Sequence, residues 1–340
     1  MRDTNDLEAG RVVTRGVRQA HASGAMDAMP LSAETYEIIA SDAAPALIIL
    51  CDHAGNAFPQ GYGTLGLPAE QIARHIGYDI GAGAVVRAMA KRLNATAVLS
   101  KYSRLLIDLN RGADDPTLIM KLSDGAIVPG NRHIDQAETQ RRIALYYNPY
   151  HRAVRWAIDR ALAIGTPPMI VSIHSFTPAW KDQARPWHVS VLWDRDPRLA
   201  QPMLTQLRAD TGLCVGENQP YLGKLEGDSL HRHGLARGLA HALIEVRQDL
   251  IADDAGCAAW ADRLANAMTA IVSDAVAAQE LSLVRFHGAG SSSGLAEPRE
   301  PDIVPVDLNA TTPAPWLREQ GNDAARPPVL TSPTTDVHVL

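Results

Sequence analysis

Three apolar runs in this chain each end in a polar residue that can bind a metal or move a proton. The side chains that end these runs are His53, His174 and Glu245. In an open α/β sheet the ligand binds outside the carboxyl ends of the strands, so endings that are far apart in sequence can converge on one cleft. The pattern therefore predicts an enzyme whose site lies at that edge of a sheet.

Strand-like runs alternate along the chain with segments whose apolar spacing favours helices. This alternation predicts an α/β fold with a mainly parallel, helix-covered sheet. Glycines at 77, 81 and 83 weaken the start of the first predicted helix. The predicted strands are 46–51, 96–102, 168–174, 188–193 and 241–246, and the predicted helices are 69–93, 135–164, 197–211 and 255–280.

The ends of the chain differ from its middle in composition. Residues 1–32 are polar and rich in small side chains, and residues 283–340 become rich in Gly, Ser and Pro. Such composition predicts flexible tails around a single catalytic domain at 33–282. Within that domain, residues 212–240 are too polar and too interrupted for a core element, and predict a long loop that acts as a functional lid.

Composition and charge exclude several classes of partner. A hydrophobic content of 46% is enough for a sizeable core, and the net charge of −6 is scattered without a basic block. This argues against nucleic acid or an anionic membrane and favours a small soluble substrate. No run approaches the roughly 20 apolar residues that span a bilayer. Three cysteines without close spacing predict reduced thiols and a cytoplasmic protein.

Two strand-end histidines suggest a metal site. His53 and His174 each follow an apolar run, and Asn56 stands three residues after the first on a glycine-containing turn. Zinc prefers imidazole ligands, so two histidines, one oxygen ligand and a water would complete an open catalytic site. The alternative is a pair of structural histidines without a metal.

A carboxylate in the third run has two interpretations. Glu245 lies inside a strand, where burial is costly unless the charge is paired or bound. Arg247 falls on the same face under period-two alternation and could form a structural ion pair with it. The functional interpretation is a general base beside a metal-activated water. Asp79 could orient an arginine or a metal-ligating histidine, or cap a helix, and Ser175 directly follows His174.

An arginine cluster follows the second predicted strand, with Arg104, Asp108, Asn110 and Arg111 in a short stretch. Guanidinium groups bind carboxylates through two parallel hydrogen bonds, so the cluster suits a substrate with one or two carboxylates. Surface salt bridges are the alternative. In the predicted lid, His233 could polarise a carbonyl or simply be an exposed loop residue.

Taken together, these motifs resemble the N-formylglutamate amidohydrolase family over about residues 45–275. That family is similar in fold to zinc carboxypeptidases and aspartoacylases, which implies a mixed α/β sheet with helices on both faces and one catalytic zinc. The motifs that carry the resemblance are Cys51–Asn56, Ser103-Arg104 with Asp108–Arg111, His174–Phe176 and Ile244–Asp249.

The resemblance implies a role for each candidate residue. His53 and His174 would hold the zinc, and Glu245 would act as the base. Asn110 and Arg111 would bind the α-carboxylate of the substrate, and Ser175 and Asp79 would also contact the substrate. Arg104 or Arg247 would bind a side-chain carboxylate, and His233 would stabilise the oxyanion. Asn56 stands where the wider group has a glutamate ligand. A neutral amide is a poorer zinc ligand, which leaves room for a water or a weaker metal site.

The implied reaction is hydrolysis of N-formyl-L-glutamate to L-glutamate and formate, within amino acid metabolism and, at the level of the family, histidine degradation. Another N-acyl amino acid amidohydrolase or a small carboxypeptidase would use the same chemistry. A different class also remains open: a protein that binds an acidic amino acid without hydrolysing anything. The sequence leaves the oligomeric state open.

Overall fold

A computed structural model describes residues 34–41, 46–224 and 226–287 of the chain. The predicted tails, apart from residues 283–287, lie outside the described residues.

A seven-stranded sheet forms the centre of the fold. The strands are β1 (Tyr36–Ile39), β2 (Leu47–Cys51), β3 (Thr96–Ser100), β4 (Leu122–Ser123), β5 (Ala126–Ile127), β6 (Met169–Phe176), β7 (Ala179–Trp180), β8 (Gln183–Ala184), β9 (Val189–Leu192), β10 (Val215–Glu217) and β11 (His241–Arg247). The order in the central sheet is β1-β3-β2-β6-β11-β9-β10, while β4–β5 and β7–β8 form two small hairpins.

The central sheet is mixed, as expected. Strands β3, β2, β6 and β11 run parallel to their neighbours in that order. Strand β1 pairs antiparallel with β3, and β9 pairs antiparallel with β11. The connections between the four parallel strands at the centre all contain helices, which are the usual crossover between parallel neighbours.

Helices cover both faces of this sheet. They are α1 (Ala69–Ile72), α2 (Ala82–Leu93), α3 (Gln136–Arg142), α4 (Asn148–Ala163), α5 (Pro197–Arg208), α6 (Ser229–His233), α7 (Asp254–Ser273) and α8 (Ala275–Leu281), with a π-helical turn at Ile143–Tyr147 and 3-10 turns at Pro129–Asn131, Leu235–Arg237 and Gln248–Ile251. Among the described residues, no helix is both long and apolar enough to span a membrane.

Two hydrophobic clusters result from strand alternation. On β2, Leu47 and Ile49 pack with α2, α5 and α7, whereas Ile48 and Leu50 pack with α4. Successive side chains of a strand point to opposite faces, so a strand that is apolar throughout contributes to both clusters. This explains why the central strands read as continuous apolar runs rather than as alternating ones.

Several elements differ from the predictions, including the hairpins β4–β5 and β7–β8, which no predicted strand covers. Strands β1 and β10 were not predicted, because they are edge strands of four and three residues with only partial burial. Strand β10 also shows that residues 212–240 contribute to the sheet as well as to a loop. The single helix predicted at 69–93 is interrupted, since Gly81 adopts a left-handed φ of 79° before α2.

We expect Gly81→Ala to destabilise the protein by about 2 kcal/mol or more. A Cβ at this position would lie 2.1 Å from the carbonyl oxygen of Ile251, in addition to the strain of the positive φ. Urea unfolding curves measure the loss. Gly63→Ala is the control, because it has a φ of 54° with open space around it, so it should cost only about 1 kcal/mol. Equal losses would show that the close approach to Ile251 contributes nothing.

Candidate active site

The predicted convergence of strand ends is present. Strand β6 lies between β2 and β11, parallel to both, and Glu245 is paired in register with His174. Residues Ser172 and His174 share one face of β6 with Ile170, while the alternate residues enter the opposite core cluster. The site therefore forms on one face of the sheet, at the carboxyl ends of three neighbouring strands.

A buried group of two histidines and one aspartate occupies this position. His53, Asp79 and His174 each offer one ligand atom, and these atoms lie within 4.8 Å of one another. The Oδ2 atom of Asp79 is 2.8 Å from Nδ1 of His174 and 3.4 Å from Nδ1 of His53. The backbone N–H of Asp79 donates to the carbonyl of His53 at 3.0 Å, which holds the loop before α2 against the end of β2.

Each imidazole is oriented from behind by another buried carboxylate. Nε2 of His53 lies 2.7 Å from Oδ1 of Asp108, and Nε2 of His174 lies 3.2 Å from Oδ2 of Asp52. When Nε2 of each ring donates its proton to these acids, Nδ1 is left free for a metal. Such a carboxylate behind the ligand is the usual way in which proteins fix the tautomer of a metal-binding histidine.

Asp52 is itself held by hydroxyl groups from three different elements. Its Oδ1 accepts hydrogen bonds from Tyr150 at 2.9 Å and Ser229 at 2.6 Å, and its Oδ2 accepts one from Ser172 at 3.0 Å. All of these side chains are buried. The orientation of His174 therefore depends on α4, α6 and β6 together.

The electrostatics of the group follow from its burial. Burial by itself would raise the pKa of Asp79 and of Asp108, but the neighbouring histidines and Arg104 hold both below their ordinary value. Burial would lower the pKa of His174, yet its hydrogen bonds to Asp52 and Asp79 raise it well above the usual range. The site is thus a strongly anionic environment that attracts positive charge.

The donor set fits a divalent metal. Two imidazole nitrogens and one carboxylate oxygen are zinc ligands, with bonds of about 2.0–2.2 Å that place the ligand atoms about 3.3 Å apart in a tetrahedron. The Asp79 oxygen, at 2.8 Å and 3.4 Å from the two Nδ1 atoms, is already near that spacing. Three protein ligands leave one position for water or substrate, which is the pattern of catalytic zinc sites.

A cavity of about 580 Å³ opens directly onto this group. Its polar lining includes Arg104, Asn110, Arg111, Ser175 and Glu245, and its mouth includes Trp193, Arg195, Tyr221 and Lys224. The predicted lid, residues 212–240, supplies much of the remaining wall.

Glu245 enters the cavity beside His174. Its Oε2 atom is buried and has no hydrogen-bond partner among the described residues. Burial is the largest cause that raises the pKa of this carboxyl, to about 7, and the charge of Asp79 adds to the effect. The predicted ion pair with Arg247 is absent, because that guanidinium binds Asp249 at 2.8 Å instead.

The arginines of the cluster differ in what they can still bind. Arg104 is already paired with Asp108 at 2.8 Å and with Asp79 at 3.3 Å. Arg111 donates only to the neutral oxygens of Thr117 and Asn110, and no described carboxylate lies within ion-pairing distance of it. Arg111 is therefore the better placed of the two to hold an anionic group in the cavity.

Three of the predicted site residues are not brought into the cavity lining. Asn56 is exposed, because the adjacent Ala57 pairs its backbone with Tyr102 and leads the chain away from the site. Arg247 folds back onto Asp249 and the carbonyl of Arg185. His233 is buried with its Nε2 atom 2.9 Å from Nδ1 of His151. The geometry thus offers Asp79, rather than Asn56, as the oxygen ligand.

The sequence interpretation missed Asp52 and the orienting role of Asp108. Each is a lone acid next to an apolar run: Asp52 directly follows residues 46–51, and Asp108 interrupts 105–109. A charge in such a place is costly to bury unless it is paired. That signal was available and would have predicted a buried partner for both.

Comparison with known proteins identifies the family. The profile described as N-formylglutamate amidohydrolase matches residues 45–252. The chain belongs to the N-formylglutamate amidohydrolase family. It is accordingly a hydrolase that acts on an amide bond. A search of curated proteins found no match.

Two solved structures are similar to this family member. The gene product Atu2144 from Agrobacterium tumefaciens is 34% identical, with the match covering 70% of this chain and 96% of that one and a TM-score of 0.66. N-formylglutamate amidohydrolase from Ralstonia eutropha JMP134 is 22% identical, covering 71% and 98%, with a TM-score of 0.56. The second likeness supports the fold.

We expect Asp79→Ala to lose stoichiometric zinc and Asn56→Ala to keep it. The reason is that the Asp79 oxygen lies beside both imidazole Nδ1 atoms, whereas Asn56 is exposed. Plasma mass spectrometry after zinc loading and gel filtration measures the metal content per chain. His174→Ala should behave like Asp79→Ala, and near-UV circular dichroism checks that each variant is folded. Loss of zinc from Asn56→Ala alone would reverse the assignment.

Proposed function

We propose that this protein hydrolyses N-formyl-L-glutamate to L-glutamate and formate, using a zinc ion held by His53, Asp79 and His174. The observation that carries the proposal is that Glu245, whose buried Oε2 atom has no hydrogen-bond partner among the described residues, lines the same cavity as the metal-binding group and Arg111. A base, a metal group and an anion-binding group in one cavity are what hydrolysis of an acylated amino acid requires.

The chemistry divides between the metal and the chain. A bound zinc ion supplies Lewis-acid activation of water and polarisation of the amide carbonyl. Glu245 accepts the proton of the attacking water and returns it to the departing amino group. The C–N bond of the amide breaks and a C–O bond to the formyl carbon forms, so the products are formate and the free amino acid.

Binding of the amino acid portion falls to the cationic groups. Arg111 and Asn110 hold the α-carboxylate, because no described carboxylate lies within ion-pairing distance of Arg111. Arg104 instead fixes Asp79 and Asp108 in position. A side-chain carboxylate finds its cations at the mouth, where Lys224 and Arg195 line the cavity.

Formate release by the zinc-loaded protein tests this function. We expect release from N-formyl-L-glutamate that is lost on chelation and restored by zinc. The α-carboxamide analogue should lose about 10–100-fold in kcat/KM, since a hydrogen-bonded charge contributes about 1.5–3 kcal/mol. Equal rates on the acid and the amide would remove the proposed role of Arg111. No chelator-sensitive release from N-formyl-L-glutamate would refute the proposed reaction.

Glu245→Gln should reduce kcat by about 10²–10⁴-fold, because the amide cannot accept the proton from water. Zinc content should stay at the wild-type value, since Glu245 is outside the ligand group. Glu280→Gln is the control: this exposed residue on α8 pairs only with Arg285 and should leave turnover unchanged. A Glu245→Gln variant that retains both zinc and wild-type turnover would exclude Glu245 as the base.

A further inference from the structure

The cavity continues past Glu245 along an apolar wall that the proposed reaction does not use. We define the leucine recess as Leu192, Leu230, Leu235 and Leu243, which all line the cavity. Leu243 precedes Glu245 by two residues on β11 and so shares its face, and it is paired in register with Leu192 of β9. Leu230 on α6 and Leu235 in the following 3-10 turn form the opposite wall.

The leucines line the cavity and also pack into the core behind it, since Leu192, Leu230 and Leu243 belong to the same hydrophobic cluster as Ile48 and Leu50. The four leucines retain between 4% and 9% of their exposure, whereas Ile244 and Val246, on the opposite face of the same strand, retain 0%. Protein interiors are packed closely enough to leave few voids larger than a water molecule. Four leucines that line the cavity and keep a small accessible fraction therefore offer an apolar surface to a ligand group.

The size of the cavity supports the same conclusion. Its volume of about 580 Å³ falls within the range of about 300–1,000 Å³ that accommodates drug-sized ligands. N-formyl-L-glutamate is much smaller than such ligands, and its two carboxylates have no favourable contact with leucine. From Glu245 to His241, which lies at the far end of the recess, β11 extends about 13 Å.

We propose that the leucine recess binds an aliphatic chain of the substrate, so that the enzyme acts on acylated amino acids that carry such a chain. The inference rests on the proposed amide hydrolysis and extends its substrate class. The chain can belong to the acyl group or to the side chain of the amino acid, because both are attached next to the amide bond that reacts. Burial of one methylene favours binding about fourfold, which corresponds to about 0.8 kcal/mol.

Two substrate series with the zinc-loaded enzyme distinguish these sources. The first is N-formyl-, N-butyryl- and N-hexanoyl-L-glutamate; the second is N-formyl-glycine, N-formyl-L-norvaline and N-formyl-L-norleucine. We expect kcat/KM to rise with chain length, by up to about fourfold per methylene, in one of the two series. A rise in neither series overturns the proposal.

Variants that fill the recess provide the second measurement. For each variant, kcat/KM of the longest substrate is divided by kcat/KM of the shortest. In Leu243→Trp and Leu235→Trp this ratio should fall to about one. Leu122→Trp, on an exposed hairpin, is the matched control and should keep the wild-type ratio. A ratio that persists in both filling variants overturns the assignment of the chain to this recess.

A binding measurement tests the leucine recess independently of the proposed reaction. If the enzyme hydrolyses none of these compounds, calorimetry with hexanoate against acetate, and with L-norleucine against glycine, still tests the recess. Tighter binding of the longer ligand, lost in Leu243→Trp, supports the recess although the reaction is wrong. Equal affinities for the long and the short ligand in both pairs overturn it.

Discussion

The burial of three carboxylates around two imidazoles is the constraint on which the site depends. Asp52, Asp79 and Asp108 are buried, and their pKa values are held low by their partners even though burial opposes this. Arg104 supplies one positive charge to this group, which leaves a net charge of about −2 when both imidazoles are neutral, the form in which they bind a metal. Uncompensated buried charge is costly. A divalent cation would balance this charge and would also bind the imidazole nitrogens.

The regular geometry of the sheet determines where the charged side chains of the site lie. On β6 the alternation that sends Val171 and Ile173 into one core cluster sends Ser172 and His174 towards the site. The parallel register then places Glu245 beside His174. Because these residues lie on central strands with neighbours on both sides, their backbone is fixed, as a reacting group requires. The alternation and the register of the strands thus determine both the packing of the core and the position of Glu245.

The residues of the site that lie at the ends of apolar runs could be predicted from the sequence. His53, His174 and Glu245 were found because each ends or interrupts an apolar run. The position of Asp79 beside both imidazoles was not predicted, since it depends on a loop 26 residues further along the chain that folds onto the carbonyl of His53. Asn56 was favoured by its spacing from His53 and by the resemblance, but neither shows that its neighbour Ala57 pairs with Tyr102. In the fold, the edge strand β10 was missed because it lacks a buried run.

Asp52 connects the histidine group of the cavity with the segment that carries part of the leucine recess. Loops usually set specificity without altering the reacting groups, which are held by the scaffold. Here, Ser229 at the start of α6 donates a hydrogen bond to Asp52, which in turn orients His174. Leu230, the next residue, is part of the recess wall. The segment that carries Leu230 is thereby tied, through Ser229, to the carboxylate that orients His174.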